Sequence, residues 1–180
     1  MRTLGFAVVV LLALLSNVSA QKVEEAPWLT LAPEGAGFSI SVPSEATERT
    51  LTKPTYTLHS FTVNMGRVTF AASYTDYEKT DPDLKASLTA NRDKFIKTLG
   101  GTLVSSREIT LDGHTGLDFT VDTPAMTVRS QLFQIGKRMF QTAALVFKDV
   151  DETRNVKRFF DSFKITLKLI VHRSHRLHRC

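Results

Sequence analysis

Met126-Thr127-Val128-Arg129-Ser130-Gln131-Leu132-Phe133-Gln134-Ile135 reads as one extended strand with apolar side chains on both faces. Successive residues of a strand point to opposite sides, so Phe133 and Ile135 share one face while Val128 and Leu132 share the other. Such a strand belongs in a sheet covered on both sides, at least in part. Its neighbours in sequence carry the same message. Gly136-Lys137 leads into a second strand from Met139 to residue 147, and a tight turn at Thr123-Pro124 precedes it. Before that turn, Thr115, Leu117, Phe119 and Val121 alternate with His114, Gly116, Asp118, Thr120 and Asp122. A strand over residues 103–111 and the turn Asp112-Gly113 complete an antiparallel series.

Further upstream, two strands flank Met65-Gly66. With those two residues as the loop, Asn64 faces Arg67, and the pairs Val63/Val68, Phe61/Phe70, His59/Ala72 and Thr57/Tyr74 fall on one face. That register gives a coherent apolar surface that includes His59. Trp28-Leu29-Thr30-Leu31 is a short strand, and Pro33-Glu34-Gly35-Ala36-Gly37 is a turn into Phe38-Ser39-Ile40-Ser41-Val42-Pro43. Residues 44–53 read as a polar connector. Two helices interrupt the strands. Asp81 as N-cap with Pro82 at the first helical position opens one; Leu84, Leu88, Phe95 and Leu99 stripe it, Ala86, Ala90 and Ile96 widen the stripe, and Gly100-Gly101 ends it. Asp149-Val150-Asp151-Glu152 fits a capping box for the other, whose buried side is Val156, Phe159, Phe160 and Phe163. The fold class that follows is α+β, an antiparallel sheet flanked by helices, with the domain closing near Ile165.

The first twenty residues are an address. Arg2 precedes an apolar run over residues 4–15, which at about 1.5 Å per residue reaches about 18 Å, short of a roughly 30 Å hydrocarbon core. Val18-Ser19-Ala20 offers small residues for a signal peptidase, placing cleavage after Ala20. The expected organisation is therefore a signal peptide over 1–20, a leader over 21–27, the domain over 28–167 and a tail over 168–180. The expected location is the periplasm or the exterior of a bacterial cell, and no later stretch suits a bilayer span. The single cysteine, Cys180, excludes an internal disulfide, so stability must come from the core.

The formal charge of +5 suggests nucleic acid until its position is considered. Arg2 leaves with the signal, and Lys168, Arg173, Arg176 and Arg179 lie in the tail. Residues 21–167 then hold 18 basic and 18 acidic side chains, so a neutral, exported domain is no nucleic-acid binder.

The turn Ala-Pro-Glu-Gly-Ala-Gly before Phe38-Ser39-Ile40-Ser41-Val42-Pro43, the antiparallel meander and the closing Phe159-Phe160-Asp161-Ser162-Phe163-Lys164-Ile165 together resemble the PsbP-like superfamily over residues 28–166. That superfamily groups PsbP, the Mog proteins and many exported bacterial proteins of unknown function. The resemblance implies an α/β/α sandwich and a mostly non-catalytic accessory or assembly role. It offers no set of catalytic residues to carry over.

Among individual residues, His114, Asp118 and Asp122 share a strand face, and a two-residue turn sets Asp118 opposite Arg129 and Thr120 opposite Thr127. That face is a candidate polar binding surface or acid/base pair; the plainer reading is a solvated sheet face with a cross-strand ion pair. His59 reads as a core histidine with one satisfied nitrogen. No Gly-x-Ser-x-Gly and no phosphate-binding loop occurs. His172, His175, His178 and Cys180 have metal-ligand chemistry, but the interleaved arginines repel a cation. No cofactor is implied. The leading functional expectation is an exported, non-catalytic accessory or binding module recognising a protein partner. A carrier of a small apolar ligand, held between the sheet and the Leu84 helix, comes second, and an enzyme third.

Overall fold

The computed structural model describes residues 27–80 and 82–167. The expected signal peptide, most of the expected leader, Asp81 and the whole of residues 168–180, with His172, His175, His178 and Cys180, lie outside the described residues.

Ten strands and two helices follow in the order β1 (Leu29–Leu31), β2 (Phe38–Val42), β3 (Thr47–Lys53), β4 (Tyr56–Asn64), β5 (Val68–Tyr77), α1 (Leu84–Leu99), β6 (Thr102–Leu111), β7 (His114–Asp122), β8 (Met126–Ile135), β9 (Arg138–Phe147), α2 (Thr153–Asp161) and β10 (Lys164–Ile165). Seven strands form one antiparallel sheet ordered β3-β4-β5-β9-β8-β7-β6; the other three form a small sheet ordered β1-β2-β10. Pairing of β5 with β9, Val68 opposite Val146, joins two hairpin series into one sheet, and α1 carries the chain from β5 to the far edge at β6.

The sheet is covered on both faces. Under the small sheet and α2 lies an aromatic core in which Phe38, Phe140 and Phe159 are fully buried beside Phe61, Phe70, Phe133 and Phe163. The rings meet mostly edge-on or tilted, as Phe38 does against Phe61 at 6.0 Å, the arrangement their quadrupoles favour. Under α1 lies a smaller core of Leu88, Phe119, Val121, Val128, Leu132 and Met139. The fold class read from the sequence is the one observed.

Several local expectations are corrected. Residues 47–53, read as a connector, form the edge strand β3: its residues are all exposed, so no apolar alternation marked it. The Met65-Gly66 hairpin pairs Asn64 with Thr69 and Val63 with Phe70, two residues away from the expected register, because its turn centres one residue later, on Gly66-Arg67, where the Met65 N–H donates to the Val68 carbonyl at 2.8 Å. A shift of two keeps every side chain on its face, so the apolar surface survives. Helix α1 is capped by Asp83, whose side chain accepts from the Ala86 N–H at 3.0 Å; Pro82 precedes the cap and is not the first helical residue. Gly100 ends α1 in the left-handed conformation as expected, but Ala86 and Ala90 are exposed and do not widen its stripe. At α2, the N-cap Glu152 makes no side-chain cap bond; Asp151 accepts from the Thr153 N–H at 3.1 Å instead, so the capping box does not form.

Candidate functional site

Asp118 lies mid-strand on β7, on the face turned toward the small sheet and α2, and only 5% of it is exposed. Its cross-strand neighbours are Arg107 of β6 on one side and Gln131 of β8 on the other. Arg129, expected directly opposite, instead pairs with Thr120, again because the turn centres one residue later, on Pro124-Ala125, where the Thr123 N–H donates to the Met126 carbonyl at 2.9 Å. From that diagonal position it still reaches the carboxylate. Arg129 Nε and Nη2 donate to Asp118 Oδ1 and Oδ2 at 3.1 and 2.7 Å, a planar fork on a planar acceptor. Arg107 Nη2 donates to Oδ2 at 2.9 Å, and Gln131 Nε2 lies 3.5 Å from the same oxygen. The Arg129 guanidinium also stacks on Phe160 of α2, 4.4 Å from the ring centre.

This is not the solvated face expected from alternation. Arg129, backed by Phe160 of α2, lies against Asp118, and the ion pair there is buried at its acidic end. Burial pushes the Asp118 carboxyl up, but hydrogen bonds from Arg129 and Arg107, the Arg129 charge and the Gln131 amide together outweigh it and hold the group below the usual carboxylate range. A carboxylate so engaged is a poor proton acceptor.

The other expected members do not join it. His114 shares the face at the β7 end, about 13 Å from Asp118 by the rise of an extended strand. Asp122 forms a separate surface pair with Lys148 Nζ at 2.9 Å. His59 is half-buried: its Nδ1 lies 3.0 Å from Thr50 Oγ1, and its ring stacks on Tyr74 at 4.5 Å. Among the described residues no group of three His, Cys, Asp or Glu side chains could hold a metal ion.

One lock on this face escaped sequence reading. Arg138 of β9 forks onto Asp76 of β5, with Nε–Oδ1 at 2.6 Å and Nη2–Oδ2 at 2.7 Å. Its Nη1 donates to the carbonyls of Gly35 and Ala36 at 2.6 and 3.0 Å, tying the turn before β2 to the main sheet. Only the long-range β5–β9 pairing brings Asp76 opposite Arg138, so no local signal marked them. Gly116 serves the same face. A Cβ there would meet the Leu132 carbonyl oxygen and the Phe133 ring, each at 2.4 Å, so the close approach of β8 requires glycine.

Two hollows adjoin the sheet. A groove of about 590 Å³ lies between α2 and the β7–β9 face. Another, of about 350 Å³, lies where α1 meets β6 and β7; there Leu84, Leu88 and Leu117 share the lining with Lys85, Arg92 and Glu108. No helix among the described residues is long and apolar enough to cross a membrane.

A seven-stranded antiparallel sheet between α1 on one face and α2 with a three-stranded sheet on the other is the PsbP-like fold. The solution structure of PsbP from the cyanobacterium Synechocystis sp. PCC 6803, CyanoP, superposes with a TM-score of 0.59 at 11% sequence identity, covering 80% of this chain and 95% of that one. At this identity the likeness is one of fold. No family model and no curated protein matches the chain.

Proposed function

We propose that this domain is an exported, non-catalytic accessory or binding module of the periplasm or cell envelope that recognises a protein partner. The state of Asp118 supports the reading most. It is the acid/base candidate that the sequence offered, yet two arginines engage it, it is buried, and Phe160 backs the Arg129 guanidinium that holds it. The PsbP-like fold, whose resemblance implies accessory roles, agrees with it.

The sheet edges suit partner binding. Edge strand β6 breaks register between Leu103 and Ser105, and the bulged Val104 is 63% exposed beside Leu103 at 38%. An extended segment of a partner gains backbone hydrogen bonds at such an edge. A photo-crosslinking amino acid at position 104, introduced into the full chain in its own host, should trap one discrete protein in the envelope. The same label at Glu45, before the opposite edge strand β3, should not. Equal trapping from both positions, or none from 104, contradicts the edge as the recognition surface. Native mass spectrometry that recovers a bound small molecule in place of a protein supports the carrier reading.

A further inference from the structure

The groove between α2 and the β7–β9 face is built in rows. Thr120, Arg129 and Ala144 pair across one row of the sheet, and Thr127 and Val146 stand in the next. Val156 of α2 and Val150 in the preceding loop close the other side. The volume of about 590 Å³ lies within the roughly 300–1,000 Å³ typical of small-molecule sites.

Charge is uneven along this groove. Behind its inner end, Arg129 of the lining and the solvent-exposed Arg107 of β6 share the single carboxylate of Asp118, so the three groups together carry one net positive charge. Arg129 spends Nε and Nη2 on Asp118, and its Nη1 has no partner among the described residues. Elsewhere the lining cations are matched: Lys148 pairs with Asp122, and Lys157 with Asp161 one helical turn away. Glu152 stands at the opposite end of α2, about 12 Å along the helix from Phe160, with Asn155 Nδ2 donating to it at 2.7 Å.

We propose that this groove binds a small carboxylate with an apolar body, its anionic head at Arg129 Nη1 beside Thr120 and its body lying along Ala144, Val146 and Val156. Planar guanidinium donors match a carboxylate, and the aliphatic walls match a hydrocarbon body. Phe160 holds the guanidinium plane from behind, so the donor is oriented before the ligand arrives. Such a ligand site goes beyond the accessory-module reading and does not depend on it.

The test titrates the full chain with sodium octanoate, following amide chemical shifts and heats, with 1-octanol as the uncharged comparison. Octanoate should bind about tenfold more tightly than octanol or better, the margin a charge-assisted hydrogen bond supplies. Shifts should concentrate at Thr120, Thr127, Arg129, Ala144 and Val146. Val146→Trp, which fills the groove beyond the Asp118 cluster, should abolish the octanoate heat while the melting transition stays cooperative. Should that variant not fold, the position of the shifts in the unaltered chain decides. Equal affinity for octanol, shifts centred elsewhere, or no octanoate binding at millimolar concentration overturns the proposal.

Discussion

The two faces of the main sheet solve the same problem differently. Under α1 the cover is a single helix, and the buried core beneath it is aliphatic except for Phe119 and Met139, with no charged member. Under α2 and the small sheet the core is dominated by phenylalanine, and two arginine forks are set into its margins, Arg129 on Asp118 and Arg138 on Asp76. A helix can cover a sheet by side-chain packing alone. Short β1, β2 and β10 bury less each, and Arg138 fastens the turn before β2 to β5 while Phe160 rests on Arg129. The polar residues of this face therefore act as fasteners between layers.

Truncations should separate the two faces. Phe159→Ala, in the fully buried junction of α2 with β5, should cost about 3–5 kcal/mol and lower the urea midpoint further than truncation of Leu88 in the α1 core. Leu88→Ala, the one fully buried residue of α1, should cost about 2–4 kcal/mol. A Leu88 cost exceeding that of Phe159 would reverse the ranking of the two cores.

Next in size, Asp118→Ala leaves Arg107 and Arg129 facing each other without their carboxylate and should cost about 3 kcal/mol, because removing one partner strands the others. A pH titration sharpens the same point. Asp118 is held below its ordinary range in the folded chain, so its stabilisation is full above the unfolded carboxyl pKa of about 4 and disappears as pH falls below that, through the folded value. Acid unfolding of the unaltered chain should steepen in that window, and Asp118→Asn should flatten it. The smallest effect is expected at the α1 cap, where Asp83→Ala should cost about 1 kcal/mol in the same denaturation assay.

How much of this was legible in the sequence divides along the same line. Helix α1, its stop at Gly100 and the two-sided apolar pattern of β8 depend on near neighbours, and they stood in the chain to be read. Hairpin registers depend on loop geometry: both were two residues off, and the even shift preserved the faces. Strand β3 has no buried face, so its pairing with β4 left no pattern to find. The candidate site failed for a different reason. Asp118 alternates with apolar residues as an outward-facing aspartate would, and nothing local reports that Arg129, held by Phe160 of the distant α2, engages it. Arg107 was invisible for a related cause, since its role requires β6 to pair with β7.

The β7 polar face is a structural lock, and a double-mutant cycle on Asp118 and Arg129 tests this most directly. Asp118→Ala, Arg129→Ala and the double variant would be unfolded in urea at neutral pH. A coupling energy of about 1.5 kcal/mol or more is predicted for a bidentate pair whose carboxylate is buried. A coupling indistinguishable from zero would contradict it.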